Sequence, residues 1–226
     1  GRAQGWVLAD ADPALLARAL DDIADWAGAR GYGVIDDGRS LEIHTADSIW
    51  RVAVRQVELA KTLPLAGHHA VVCSALLDLV SAAWIAALAA RLTVPLLACL
   101  SVDGRDAFLP RHAGDAVVRA GFRRDQGRDK GLGPALGPRA PAALHAALAA
   151  RGFTIASAPS DWRIPIAATA MLGELVQGHA IAALRQMPAR RSAIAAWRAA
   201  RLRQIGYGHL AIRVGHRDSL ALPPPR

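Results

Sequence analysis

Residues 71–88 read V-V-C-S-A-L-L-D-L-V-S-A-A-W-I-A-A-L. The stretch opens on a short β-branched run, Val71–Val72, after a turn signal at residues 67–69. Small residues follow at Cys73, Ser74 and Ala75. Leu76, Leu77, Leu79, Val80, Trp84, Ile85 and Leu88 then recur at spacings of three and four, which predicts a helix over 76–91. A strand that passes through small residues into a helix lets a ligand approach the backbone at the sheet edge. Asp78 is the one charge in this apolar run. It reads either as an acid that turns or caps the chain or as a group at the lip of a ligand pocket.

Outward from this stretch the chain alternates strand and helix patterns. Residues 4–10 read as a strand ending in Asp10. Asp12-Pro13 is an N-cap followed by a proline in the first helical turn. Short strands at 32–35 and 40–45 flank an Asp36-Asp37-Gly38 turn. Residues 50–59 alternate as a longer strand ending near Glu58. Residues 94–102 form a continuous apolar run, the pattern of a central parallel strand. Helices are predicted at 115–124, 141–150, 167–184 and 190–205, and strands at 153–158 and 209–214. The order predicts an α/β fold: a Rossmann-like, doubly wound, mostly parallel sheet closed by a C-terminal antiparallel hairpin. The whole of 1–226 reads as a single domain with a helical insertion at about 165–206.

Length and composition bound the class. The chain has 226 residues, 53% hydrophobic, enough for a sizeable core. No apolar run reaches the roughly 20 residues of a membrane span. Cys73 and Cys99 lie in apolar strand-like runs and read as reduced, which points to a cytoplasmic protein without a membrane partner. Residues 1–80 hold 7 Lys+Arg against 11 Asp+Glu, and residues 81–226 hold 20 against 8. The basic second part would attract an anionic substrate or nucleic acid. Its arginines are scattered, with few aromatics between them, so a small molecule is favoured over nucleic acid. The eight histidines show no metal-ligand spacing.

Three strand ends carry the candidate chemistry: Asp10, Glu58 and Ser74–Ala75. In a doubly wound sheet, ligands sit outside the carboxyl ends of the strands. An acid past one strand can accept from a ribose diol, and an acid past the next from an adenine amino group.

These ends also carry a resemblance. V-L-A-D-A-D-P-A-L-L (7–16) resembles the second-strand motif of class I S-adenosylmethionine-dependent methyltransferases. V-E-L-A-K-T-L-P-L (57–65) resembles their third-strand motif, and A-V-V-C-S-A-L-L-D-L-V (70–80) their fourth. G-F-T-I-A-S (152–157) and H-L-A-I-R-V (209–214) look like the closing hairpin. S-A-L-L-D-L-V-S together with D-K-G-L-G-P-A-L-G-P (129–138) is similar to a bacterial subgroup. The family's acid-x-Gly-x-Gly loop is absent, so its first, central strand is expected to be missing from this chain. The chain starts Gly1-Arg2-Ala3 without Met, which reads as a fragment or processed product.

The resemblance implies methyl transfer from S-adenosylmethionine to a small-molecule acceptor. Asp10 would bind the ribose, Ala11 would pack on the adenine, and Glu58 with the Leu59 N–H would read its edge. Ser74 and Ala75 would line the methionine end. Asp78 would be the catalytic residue, with Asp103, Asp129 and Lys130 as further acceptor contacts and 127–138 as a lid. Two other readings follow from the missing loop and the basic part: a non-catalytic methyltransferase-like binding scaffold, or an RNA methyltransferase using the arginines of 190–205.

Overall fold

The computed structural model describes residues 2–225. The chain divides into two compact units, Gly1–Ala66 and Gly67–Arg226.

The first unit is one four-stranded sheet with a helix on it. β1 (Arg2–Asp10) leads into α1 (Pro13–Gly28), then β2 (Gly33–Asp36), β3 (Ser40–His44) and β4 (Ser48–Gln56). Asp12 caps α1 as expected: its carboxylate accepts from the N–H groups of Ala14 and Leu15. The sheet order is β1-β4-β3-β2. β1 and β4 pair in parallel over nine residues, and the hairpin pairs are antiparallel. Leu20 and Ala27 of α1 pack on Leu41, Ile43 and Val52 to form the core.

The second unit holds two sheets. β5 (Val71–Ser74), α2 (Ala82–Arg91) and β6 (Leu96–Val102) make a strand–helix–strand crossover whose two strands pair in parallel. β7 (Ala107–Leu109), α3 (Asp115–Gln126), α4 (Ala140–Ala149), β8 (Thr154–Pro159), β9 (Trp162–Ile164), α5 (Thr169–Gln186), α6 (Arg191–Gly206), β10 (Ala211–Val214) and β11 (His216–Leu222) follow. One sheet runs β5-β6-β11-β8, the other β7-β10-β9. Helices α5 and α6 occupy the segment expected as a helical insertion. With α3 they bury Val118, Leu172, Val176, Ala183, Ile194 and Trp197 against Phe108, Ile164 and Ile212 of the three-stranded sheet. No helix among the described residues is long and apolar enough to cross a membrane.

Mixed sheets flanked by helices meet the α/β expectation, but the described strands form three sheets, in which β1 with β4 and β5 with β6 pair in parallel and the other pairs are antiparallel. Two local expectations are corrected. The strand at 153–158 does not pair with 209–214. Its partner is β11, antiparallel from Arg217↔Pro159 to Leu222↔Thr154, whereas β10 pairs with β7 and β9. Gly215 is the crossing point, and a Cβ there would lie 2.7 Å from Arg105 Cβ. The helix expected over 76–91 starts at Ala82. Residues 77–79 form one 3-10 turn, and the Ser81 hydroxyl caps α2 by accepting from Trp84 N–H at 3.2 Å.

Candidate functional site

In the first unit, two acids flank the carboxyl end of a parallel pair. Asp10 is the last residue of β1 and stands opposite Gln56, the last of β4. Val57 N–H donates to the Asp10 carbonyl at 2.8 Å, and Gln56 Nε2 donates to the Ala11 carbonyl at 3.0 Å. These two bonds tie the chain after β1 to the chain after β4. The Asp10 carboxylate is exposed, and its Oδ1 accepts from Asp12 N–H at 2.9 Å. Asp10 Oδ2 has no partner among the described residues. Glu58 lies two residues past β4, with Oε2 on Lys61 Nζ at 2.6 Å. Leu59 is half-buried beside it. The structure therefore places Asp10, Ala11, Glu58 and Leu59 on two adjoining strand exits.

In the second unit, Ser74, Ala75 and Asp78 follow β5. Ser74 pairs with Cys99 of β6, and Ala75 N–H donates to the Cys99 carbonyl at 3.1 Å. Both strands then bend at once. Ala75 (φ 52) and Leu100 (φ 51) are left-handed, a conformation costing a non-glycine residue roughly 1–2 kcal/mol. The bend takes Leu100 N–H out of the sheet ladder, and Asp218 Oδ1 accepts it at 2.8 Å. The Ser160 hydroxyl donates to the same oxygen at 2.6 Å. The register of β11 against β6 shifts at this point, between Arg217 and Ser219. Paired strain of this kind concentrates at functional sites.

Asp78 sits half-buried on the 3-10 turn beyond β5. Burial pushes its carboxyl above the usual carboxylate range. Its own backbone N–H, then Lys130 and His216, act the other way without overcoming burial. A carboxyl held above its ordinary value is suited to accept a proton. The native state binds this proton more tightly than the unfolded chain, so the associated stability is present at low pH and lost as pH rises through the folded pKa. Asp78→Asn is therefore expected to raise the thermal midpoint at pH 7, by an amount that shrinks toward pH 4. Melting curves across that range check it, and a lower midpoint at pH 7 would count against it.

The remaining acceptor candidates are already engaged. Asp103 Oδ2 pairs with Arg105 NH2 at 2.6 Å, and Arg105 also binds both oxygens of Asp161. Asp129 Oδ1 accepts from Gly131 and Gly133 N–H at 2.8 and 3.1 Å, so it braces its own loop. That loop is pinned at two points: Ser81 N–H donates to the Leu132 carbonyl, and Leu136 N–H to the Val80 carbonyl. Gly133 needs its φ of +80° there, with Ser81 2.9 Å from where a Cβ would stand. The arginines of α6 do not form an open comb. Arg201 is fully buried against Asp115, and Arg198 donates to Gln177.

Cys73 and Cys99 are free and half-buried, and burial pushes the Cys73 thiol up to about 12. Sequence reasoning missed Asp218, His216 and Arg105. His216 is 5% exposed, with Nδ1 unpartnered among the described residues and its ring 5.0 Å from Trp162. The run H-R-D at 216–218 offered a signal, but a run of charges in the local pattern does not mark a strand.

No protein-family model matches the chain, and no curated protein does. Twenty-eight solved chains match. One is the crystal structure of the [4+2]-cyclase SpnF, at 19% identity and a TM-score of 0.33, covering 99% of this chain and 76% of that one. A likeness of that degree assigns neither fold nor reaction to this chain.

Proposed function

We propose that the protein binds S-adenosylmethionine and transfers its methyl group to a small-molecule acceptor. One observation carries the reading: Asp10 and Glu58 leave adjoining parallel strands, and Asp10 has one oxygen anchored and the other open. An anchored carboxylate with a free lone-pair edge suits a ribose diol. Ala11 and Leu59 supply apolar and backbone contacts for the adenine. In the second unit, the exposed, small Ser74 and Ala75 leave the end of β5 open to a ligand. When bound, the cofactor supplies an electrophilic methyl on its sulfonium. Asp78 would orient the acceptor and take up any proton it must lose; most of the acceleration would come from positioning.

Calorimetric titration with S-adenosylmethionine is expected to show saturable binding. Asp10→Ala should weaken it at least about tenfold, a loss of about 1.4 kcal/mol. Absence of binding, or binding indifferent to that substitution, rules the reading out. A second reading is a methyltransferase-like scaffold that binds an anionic partner through its basic part. The arginines of the second unit that lack carboxylate partners favour it.

A further inference from the structure

Between β7, β10, β9 and the start of α3 lies a cleft of about 890 Å³, lined by five arginines: Arg105, Arg111, Arg119, Arg163 and Arg213. Their charges are not equally available. Arg105 is spent on Asp103 and Asp161. Arg213 leans on Asp161 at 3.9 Å and donates to the Arg105 carbonyl. Arg111, Arg119 and Arg163 have no side-chain partner among the described residues. Of the carboxylates lining the cleft, Asp115 is bound to Arg201, and Asp106 accepts from Gly215 N–H. The cleft is therefore left with a surplus of positive charge.

The sheet register sharpens this. Arg163 of β9 and Arg213 of β10 are direct cross-strand partners, on the face opposite the buried row Phe108–Ile212–Ile164. Like charges placed so oppose pairing, and of the two only Arg213 has a carboxylate near it, Asp161 at 3.9 Å. Guanidinium groups match phosphate and carboxylate oxygens in a planar, two-pronged geometry. Between the arginines the lining is apolar, with Ala116, Pro165, Ala211 and a half-exposed Leu109. The volume fits a single small ligand. Of the rings in the lining, Phe108 is buried and His112 is half-buried with Nδ1 taken by Gly114 N–H, so the cleft offers little stacking surface for bases.

We propose that this cleft binds a small amphiphilic anion, with its phosphate or carboxylate held by Arg163 and Arg111 and its apolar body on the Leu109–Ala116 wall. The proposal deepens the binding reading above and does not depend on the cofactor.

Decyl phosphate, kept below its micellar concentration, is the probe for calorimetry. One-to-one binding is expected, weakened at least tenfold in Arg111→Gln/Arg163→Gln. It should be unchanged in Arg190→Gln/Arg191→Gln, which removes the same charge from the start of α6. Arg163→Gln alone should melt no lower than the parent, because it relieves a like-charge pair. A lower midpoint would make Arg163 a structural partner and overturn the assignment, as would equal loss in both double variants. A short single-stranded RNA that binds more tightly than decyl phosphate, with steep salt dependence, would overturn the ligand class while leaving the binding reading standing. Failure of decyl phosphate, inorganic phosphate and RNA alike removes both.

Discussion

Asp115→Ala is expected to cost about 3–5 kcal/mol of folding stability, the range for stranding one member of a buried ion pair. Arg201 is 0% exposed, and its guanidinium has three acceptors: Asp115 Oδ1, the Pro110 carbonyl and Gln204 Oε1. Asp115 is the only one of the three that carries charge. The same oxygen accepts from Trp197 Nε1 at 2.7 Å, and Oδ2 accepts from His112 N–H at 2.9 Å. Removing the carboxylate leaves a buried cation, an unpartnered indole N–H and a loosened entry to α3. Urea denaturation should record the loss. Asp115→Ala/Arg201→Met should recover much of it, because an apolar replacement carries no desolvation penalty. A single-variant cost below about 1 kcal/mol would show that water or a neighbour replaces the carboxylate.

The pH dependence has a definite sign. Burial alone would raise the Asp115 pKa, but bonds from Arg201, Trp197 and the His112 backbone outweigh it and hold the carboxyl below the usual range. Its stabilisation is present above the unfolded carboxylate pKa and is lost as pH falls through the folded one. The acid limb of the stability profile should flatten in Asp115→Asn.

Gly121→Ala should destabilise the protein by about 1–2 kcal/mol, although alanine favours an exposed helix interior over glycine by about 1 kcal/mol. Gly121 lies within α3, where that helix crosses α5. A Cβ at this position would stand 2.7 Å from Ala183 Cα and 2.8 Å from Ala183 Cβ. Ala183 is fully buried, so the contact can be relieved only by moving one helix off the other. Gly121→Val should be worse, at about 3 kcal/mol or more. Trimming the partner in Gly121→Ala/Ala183→Gly should restore part of the loss. A variant as stable as the parent would mean that the helices can separate freely.

The elements that were legible in the sequence are those whose signals are local. Asp12-Pro13 marks the start of α1 by capping chemistry alone. The alternation of β4 and the apolar run of β6 mark both strands, although burial follows the pattern only in part: Leu96 and Ala98 are buried while Leu97 is exposed. The helix boundary at 76–82 was misread because a 3-10 turn also places apolar residues at i and i+3, so Leu76–Val80 mimics an α-helical stripe. β11 was missed because H-R-D-S-L-A-L mixes charges into a strand. Those charges are used by distant partners: Asp218 takes Leu100 N–H and the Ser160 hydroxyl, and Arg217 reaches Ser157. Strand-end acids such as Asp10 and Glu58 stand out from local pattern. The arginine-lined cleft does not, because Arg163 and Arg213 meet only through the register of β9 and β10, and Arg111 reaches the same cleft from beyond β7.

The position of β11 also governs how the second unit can be assembled during synthesis. β6 and β8 are made well before β11, yet in the finished sheet β11 lies between them. At about 5–20 residues per second, the ribosome completes β8 several seconds before Leu222 is added. Throughout that interval β6 and β8 each present a row of unpaired N–H and C=O groups. Such rows are templates for pairing with another chain. The nascent chain is thus most exposed to misassociation while β11 is still being made. A slowed ribosome over β10 and β11, or loss of a chaperone that shields strand edges, should lower soluble yield without changing the stability of the molecules that finish.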